Sequence, residues 1–254
     1  MYRIDLNSDL GESFGRYTLG LDDQIIPLVS SANVACGQHA GDPMVMRTTV
    51  GMAKDAGIAI GAHPGYPDLQ GFGRRDMSLS PDEAYSYMLY QIGALQAFCT
   101  AQGVRLAHVK THGQLYNHAA VDPELASALA QAVRDMDPTL VLVGLANSAL
   151  VDEGRKLGLV TAEEFFADRN YTDEGRLVSR NDPAALIRDE QEAIDRVKHA
   201  IREGGVLSVT GKLVDLHPDT LCVHGDSPTA LAFVSRIRHE LEQDDIAIKA
   251  VGAE

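Results

Sequence analysis

The feature that most constrains the fold is a regular alternation of short apolar runs with longer amphipathic patterns along the chain. Runs typical of strands are RIDLN (3–7), SANVAC (31–36), IAIGA (58–62), LAHVK (106–110), LVLVGL (140–145), LVTAEEF (159–165), VLSVT (206–210), LCVH (221–224) and IAIKAV (246–251). Most intervals between them carry apolar residues at helical spacing, which favours a parallel sheet with crossover helices. About seven or eight such units in 254 residues are the size of a (β/α) barrel, with a doubly wound open sheet as the alternative.

Capping residues mark the helix boundaries. An Asp or Ser followed by Pro is typical of a helix start, and Gly of a helix end. By these signals helices begin at Asp42-Pro43, Ser80-Pro81, Asp122-Pro123 and Asp226-Ser227-Pro228 and near Asp189, the first two ending at Gly57 and Gly103. Since no linker-like or low-complexity segment interrupts the pattern, we expect a single domain over residues 1–254.

Charge and composition exclude several classes of protein. The formal net charge of −14 repels phosphate backbones and anionic membranes, so neither nucleic acid nor a membrane is an expected partner. The three cysteines are far apart and form no CxxC pair, which argues against a disulfide framework and a thiolate zinc site. The first ten residues carry charges and no apolar run reaches the length of a membrane span. We therefore expect a soluble, cytoplasmic protein.

The first strand has an unusual polar face. Asp5, Asn7 and Asp9 alternate along it and so share one side, although a strand of a parallel barrel is normally apolar on both faces. Asp9 ends the strand shortly before Glu12, so both carboxylates are expected at the mouth of the barrel, and Asn7 is a candidate substrate ligand. Asp5 fits either the mouth or the barrel floor, where backbone amides would satisfy it.

Four of the nine histidines directly follow predicted strands, and each has a glycine close by. They are His39, His63, His112 and His224. The carboxyl ends of parallel strands share one end of the barrel, so we expect the four imidazoles to converge there. The remaining five, including His108 within a strand, are interpreted as structural or surface residues.

A carboxylate and two imidazoles at this mouth suit a divalent metal ion with open positions for water and substrate. The predicted ligands are Asp9, His63 and His112. Metal-activated water or a carboxylate general base is the implied chemistry. Lys110 precedes His112 by two residues and projects the same way, where it would polarise a carbonyl group or bind an anion.

Other polar residues near strand ends are candidates for binding substrate. Arg74 and Arg75 in GFGRRD suit a carboxylate or phosphate, with solvated surface arginines as an equal alternative. Glu164 stands near the end of the sixth predicted strand and Arg169 follows it. Asp226 is explained by helix capping, although it stands beside His224 in the sequence.

Motifs for several other chemistries are missing. The Gly211-Lys212 pair is followed by Leu213, and Val206 stands five residues before Gly211, so the segment is not a P-loop. No GxGxxG follows the first strand and no GxSxG elbow occurs. Cys36 is interpreted as a small buried thiol and not as a nucleophile.

Six motifs together resemble the LamB/YcsF family, in unchanged order from residue 5 to residue 228. They are DLNSDLGESFGRY, SANVACGQHAGDP, GAHPGYPDLQGFGRR, VKTHGQLYN, FADRNYTDEGRLVSR and CVHGDSP. Two departures are Gln38, where the family usually has an aromatic residue, and Thr111, where it usually has proline. The first would reshape the pocket beside His39 and the second would loosen the backbone before His112.

The resemblance implies a deviated (β/α) barrel of about seven parallel strands, related to glycoside hydrolase and deacetylase barrels. It also implies a hydrolase acting on cyclic amides: the A-type subunit of a 5-oxoprolinase that opens 5-oxo-L-proline to L-glutamate. ATP would act through a complex with two further subunits, of the B and C types.

Under this hypothesis Asp9 or Glu12 is the general base, and His39, His63 and His112 are metal ligands or proton donors. Lys110, Arg74 or Arg75 would hold the substrate carboxylate or a phosphate. Two alternatives remain open: a stand-alone metal-dependent amidase or deacetylase, and a non-catalytic subunit that binds substrate or regulates its partners.

Overall fold

The computed structural model describes residues 2–179, 182–224 and 228–252. Within them the strands are β1 (Tyr2–Leu10), β2 (Ser31–Ala35), β3 (Ala59–His63), β4 (Leu106–Lys110), β5 (Val141–Leu145), β6 (Thr161–Phe166), β7 (Val206–Leu207), β8 (Leu213–Val214), β9 (Thr220–Cys222) and β10 (Ile246–Ile248). The helices are α1 (Asp22–Ile25), α2 (Pro43–Ala56), α3 (Pro81–Gln102), α4 (Gly113–Ala119), α5 (Pro123–Met136), α6 (Ala149–Lys156), α7 (Glu190–Arg202) and α8 (Pro228–Gln243). Short 3-10 helices cover Ile26–Leu28 and Pro183–Ala185.

Seven parallel strands close into a barrel in the order β1, β2, β3, β4, β5, β6, β9, with β9 returning to pair with β1. Closure excludes the open-sheet alternative and confirms the predicted (β/α) barrel. β10 pairs with the first residues of β1, from Tyr2↔Ile246 to Ile4↔Ile248, below the segment Asp5–Asn7 that pairs with β9. The predicted strand IAIKAV (246–251) is therefore a strand only over Ile246–Ile248, and this strand does not belong to the closed seven-stranded barrel.

The prediction of a barrel strand at 206–210 is wrong. Only Val206 and Leu207 are extended there, and they pair antiparallel with Leu213 and Val214 in a two-stranded ribbon. The alternating pattern on both sides of Gly211 is that of a hairpin, and its exposed apolar residues do not face the barrel. The seventh position in the ring belongs to β9 instead.

Helix capping follows the sequence signals. The Asp42 side chain accepts from the backbone N–H groups of Met44 and Val45 at the start of α2. Ser80 and Glu83 form a reciprocal capping box at the start of α3. The predicted cap Asp226 lies outside the described residues. α2 and α3 follow β2 and β3 through loops over residues 36–42 and 64–80, and these loops lie at the carboxyl ends of the parallel strands, at one end of the barrel.

The apolar core lies between the strands and the surrounding helices, whereas the interior of the barrel is polar. His108 of β4 is buried inside the ring, and a Cβ atom at Gly61 of β3 would lie 2.0 Å from its Nε2 atom. Only glycine at position 61 therefore leaves space for this imidazole. In the described part of the chain, no helix combines the length and apolar character needed to span a membrane.

Candidate active site

Asp5 lies on the floor of the barrel. Its Oδ1 atom accepts hydrogen bonds from the hydroxyl groups of Ser30 and Ser31 at 2.6 and 2.7 Å, and Oδ2 accepts from Thr220 at 2.5 Å. Burial raises the pKa of this carboxyl group, although the three hydroxyl groups oppose the shift. Both oxygens thus have partners within the protein, and side-chain hydroxyl groups supply them instead of the expected backbone amides.

Asn7 occupies the layer above the floor, and all its hydrogen-bonding capacity is used. Its Nδ2 atom donates to Glu164 at 3.0 Å and Thr220 at 2.7 Å, while Oδ1 accepts from Asn33 at 2.7 Å and Lys110 at 3.1 Å. Two donors and two acceptors are all that the amide offers. The structure therefore places Asn7 where it holds neighbouring side chains, below the cavity.

Lys110 places a buried positive charge in the same layer. Its Nζ atom donates to Glu164 at 2.8 Å, Asp9 at 3.0 Å and Asn7 at 3.1 Å, and it lies 3.2 Å from Cys222 Sγ. Burial alone would lower the pKa of Lys110, but the facing acidic groups hold it well above its usual range. The ammonium group is therefore charged and its three N–H bonds are committed to the protein.

Asp9 forms the top of this network and opens into the cavity. Its Oδ1 atom accepts from Asn33 at 2.9 Å and from Lys110, while Oδ2 lies 3.3 Å from His63 Nε2. Burial would raise the pKa of Asp9, but His63 and Lys110 hold it well below its usual range. Asp9 is thus an ionised carboxylate with one oxygen, Oδ2, directed to the histidines.

Three histidines pack together beside Asp9. His63 Nδ1 lies 2.7 Å from the carbonyl oxygen of Lys110, His112 Nε2 lies 2.9 Å from that of Phe72, and 3.0 Å separates His63 Nε2 from His112 Nδ1. The ring of His39 stacks on that of His112, with centroids 3.7 Å apart. Burial lowers the pKa of His39 well below its usual range and that of His112 to about 3, so both rings are neutral.

Glu12 completes this cluster. Its Oε1 atom lies 3.6 Å from His112 Nδ1 and 3.9 Å from His39 Nε2. Burial and the charge of Asp9 raise the pKa of Glu12 to about 7. Glu12, His39, His63 and His112 each offer one ligand atom within 4.8 Å of the others, so the cluster contains candidate ligands for a metal ion. The structure thus adds Glu12 and His39 to the predicted His63 and His112.

The backbone around GFGRR fits tightly against these imidazoles. Gly73 has φ +64°, and a Cβ atom there would lie 2.8 Å from His112 Cδ2 and 2.9 Å from His39 Cβ. A side chain at this position would therefore collide with both rings. Gly73 also places the Phe72 carbonyl oxygen against His112.

A cavity of about 490 Å³ opens above Asp9 and the histidines. Four cationic side chains, Arg74, Lys110, Arg169 and Arg176, line it together with Asp9. Tyr116, Val121, Leu145, Phe166, Leu177 and Val178 supply much of its apolar wall. A concave site with positive charges and low-polarity walls suits a small anionic ligand.

The structure separates the two adjacent arginines of the GFGRRD loop. Arg74 lines the cavity, with its guanidinium 4.9 Å from the Phe72 ring centroid. Arg75 is exposed, is not among the lining residues, and donates from Nε to Asp68 at 2.9 Å.

The other predicted binding residues fall in different positions. Arg169 lines the cavity and donates to the Val178 carbonyl oxygen at 2.6 Å, and His224 lines it with Nδ1 3.2 Å from Asp168. Glu164 is fully buried beneath Lys110, and Asp226 lies outside the described residues.

The two departures from the family pattern leave the histidine cluster intact. Thr111 is buried at the cavity, and the following residue, His112, is anchored by its N–H bond of 2.8 Å to the Pro64 carbonyl oxygen. Gln38 is half-buried next to His39.

Asn33 is a member of the network that the sequence motifs did not reveal, and it links Asn7 and Asp9 to His108, which was interpreted from the sequence as a structural or surface residue. Asn33 donates to both Asn7 and Asp9, and its Oδ1 atom accepts from His108 Nε2 at 2.7 Å. Burial and the charge of Lys110 lower the pKa of His108 to about 3. A polar residue in the middle of an apolar strand, as in SANVAC, is the signal that would have identified Asn33.

Comparison with known proteins agrees with this architecture. The sequence model of the LamB/YcsF family matches residues 4–254. The A-type subunit of 5-oxoprolinase from Staphylococcus aureus (strain MSSA476) is 55% identical over 249 residues, covering 98% of this chain and 100% of that protein. The crystal structure of the lactam utilization protein from Thermus thermophilus superposes with a TM-score of 0.92 at 47% identity, covering 98% of this chain and 99% of that chain. The chain belongs to the LamB/YcsF family.

Proposed function

We propose that this chain is the A-type subunit of an ATP-dependent 5-oxoprolinase and opens the lactam ring of 5-oxo-L-proline to give L-glutamate. The names of the S. aureus and T. thermophilus relatives support this activity, a hydrolysis of a cyclic amide. The observation that carries it is the cavity itself, where an ionised carboxylate faces cationic side chains suited to a carboxylate-bearing substrate.

Activation by ATP takes place in a complex with two further subunits, of the B and C types. An unstrained amide is a poor electrophile, and phosphorylation of its oxygen by the partners would provide the driving force. This chain contributes no P-loop, which agrees with such a division of labour.

The positions of the arginines favour a ligand with two anionic groups. Arg74 follows β3, whereas Arg169 and Arg176 follow β6, and these strands lie on opposite sides of the seven-stranded ring. A lactam that carries both a carboxylate and a phosphoryl group can therefore contact cations at both ends.

Asp9 is the better placed of the two candidate bases. It lines the cavity, whereas Glu12 is not among the lining residues and lies beside His112 and His39. Geometry comes before pKa in choosing a general base. Asp9 Oδ2 takes a proton from the attacking water as the C–O bond forms, and the same carboxyl group returns it to the ring nitrogen as the C–N bond breaks. Opening of the phosphorylated ring in this way leaves an acyl phosphate of glutamate, and a second water hydrolyses it to L-glutamate and inorganic phosphate.

Lys110 assists this step through its charge. Its three donors are already used by Asp9, Asn7 and Glu164, so it does not bind substrate through them. The ammonium group keeps Asp9 ionised and stabilises negative charge that develops on the substrate oxygen above it. A divalent ion at the histidine cluster would supply an activated water.

The test is glutamate formation from 5-oxoproline and ATP, measured with this chain alone, the partner subunits alone, and all together. We expect product only from the complete mixture, and we expect Asp9→Asn to lower turnover by about 10²-fold or more. Arg75→Gln is the matched control, since Arg75 does not line the cavity.

Two results would contradict the proposal. Full turnover by Asp9→Asn would remove its assigned role. Ring opening by this chain alone without ATP would favour a stand-alone metal-dependent amidase, the second candidate that the histidine cluster supports.

A further inference from the structure

The hydrogen bonds of two histidines leave two ring nitrogens facing each other. A backbone carbonyl oxygen only accepts, so His63 Nδ1 must donate to Lys110 O and His112 Nε2 must donate to Phe72 O. Neither bond uses His63 Nε2 or His112 Nδ1, and in a neutral imidazole whose other nitrogen donates, the remaining nitrogen carries a lone pair and no hydrogen. These two atoms lie 3.0 Å apart.

Further acceptors converge on the same point. Glu12 Oε1 lies 3.6 Å from His112 Nδ1, and Asp9 Oδ2 lies 3.3 Å from His63 Nε2. A proton on His63 Nε2 would satisfy either His112 or Asp9, but not both. Both imidazoles are almost completely buried, so bulk water does not compensate the remaining acceptors.

We propose that Glu12, His63 and His112 bind one divalent first-row transition-metal ion. Two nitrogens that each lie about 2.0–2.1 Å from one zinc ion are about 3.0–3.4 Å apart at ordinary ligand angles, which matches the facing atoms. Two histidines and one carboxylate are a set that leaves coordination positions open. His63 and His112 line the cavity, so those positions are reachable from it.

The surroundings of both histidines support this assignment. Each ring donates its other N–H group to a backbone carbonyl oxygen, of Lys110 or of Phe72, which fixes both tautomer and orientation. Metal-binding histidines almost always make such a bond. The lone pairs are therefore held in place before an ion arrives.

His39 and Asp9 are neighbours of the site and not ligands. The rings of His39 and His112 are parallel within 1° and stacked, so their in-plane lone pairs cannot meet at one ion. Asp9 is held through Oδ1 by Asn33 and Lys110. This ligand set replaces the Asp9, His63 and His112 expected from the sequence, and exchanges Asp9 for Glu12.

The experiment measures metal binding by the whole chain, without substrate or partner subunits. Protein stripped with a chelator is titrated with Zn²⁺ by calorimetry, and bound Co²⁺ is followed by its visible absorption. We expect one ion per chain. Loss of a residue that merely orients a ligand weakens metal binding about 10–100-fold, so Glu12→Gln, His63→Gln and His112→Gln should each weaken it at least that much.

Two pairs of variants are the controls. His39→Phe keeps a stacked ring and Asp9→Asn keeps the shape of the carboxylate, so both should retain the ion. His199→Gln and His239→Gln remove exposed histidines and should also leave the affinity unchanged. Circular dichroism verifies folding, and Glu12→Gln is the least disruptive ligand variant because its side chain is partly exposed.

Absence of tight binding by the unaltered chain would overturn the proposal, as would equal loss in the exposed-histidine variants. Loss in Asp9→Asn with retention in Glu12→Gln would overturn the ligand assignment. The outcome is separate from that of the proposed function: a chain that binds the ion but does not support conversion of 5-oxoproline would contradict only the latter.

Discussion

Replacement of Lys110 by methionine tests the charge balance inside the barrel. The Lys110 ammonium group contacts Glu164, which is fully buried, and Asp9, whose side chain is 16% exposed. Methionine preserves most of the side-chain volume but leaves these two carboxylates without their shared cation. Removing one partner of a buried ion pair costs about 3–5 kcal/mol of unfolding free energy, against about 5–15 kcal/mol for a whole domain.

The cost of Lys110→Met should depend on pH with a definite sign. In the unaltered protein the pKa of Asp9 lies well below its usual value, so its stabilising effect is present above the unfolded pKa of about 3.9 and is lost as pH falls through the folded pKa. In the variant the charge of Lys110 no longer opposes the effect of burial, so the pKa of Asp9 is higher than in the unaltered protein and the variant is destabilised most at high pH. We therefore expect the difference in stability to be largest near pH 8 and to shrink towards pH 5.

Urea unfolding followed by circular dichroism is the suitable assay, because the chain has no tryptophan. Lys198→Met is the matched control: Lys198 bridges Glu240 and Asp244 near the surface, and its loss should cost less than about 1 kcal/mol. Adding Glu164→Gln to Lys110→Met should recover about 1 kcal/mol or more, since it removes a buried unpaired charge. Equal costs for Lys110→Met and Lys198→Met, or a cost independent of pH, would refute the reasoning.

Three further outcomes are expected. Gly61→Ala places a methyl group 2.0 Å from His108 Nε2 and should lower the free energy of unfolding by about 1–3 kcal/mol in urea titrations, with recovery in the Gly61→Ala/His108→Ala double variant. A thiol reagent at pH 8 should modify none of the three buried cysteines in the native chain and all three after denaturation. Burial raises the pKa of the Cys36 thiol to about 12, so a thiol that reacts in the native chain would contradict this expectation. Arg176→Gln should raise KM for the anionic substrate about tenfold or more in steady-state assays of the complete complex, because Arg176 lines the cavity. Arg75→Gln should leave KM unchanged. Equal effects of the two substitutions would argue against an anion site in the cavity.

Helix capping and strand periodicity predicted the barrel well because each depends on a few neighbouring residues, and the barrel is built from short strand-helix units. The caps at Asp42 and Ser80 depend on a few neighbouring residues, and the structure shows both. The error at 206–210 has a different origin. A hairpin and a buried strand both show short apolar runs, and only the pairing partner, Leu213–Val214 instead of a barrel strand, distinguishes them. That partner is a property of the tertiary fold.

The candidate site was predictable where polar residues end strands and less so where they lie within them. His63 and His112 were found because loops at the carboxyl ends of parallel strands converge. Asn33 was missed because a single polar residue within a strand is ordinary when one face of the strand meets solvent. In a closed barrel that face is the interior, so each such residue needs partners there, as Asn7 and Asp9 provide.

The net charge of the chain and the charge of its cavity act over different distances. Acidic groups spread over the surface give a net charge of −14, yet the lining of the cavity described here carries four cations and the carboxylate of Asp9. Exposed charges are screened beyond about 8–10 Å at physiological salt, whereas partly buried charges are screened much less. A large polyanion would meet the acidic exterior, but a small anion that enters the cavity is surrounded by cations, so anion binding is decided by the loops after β3 and β6.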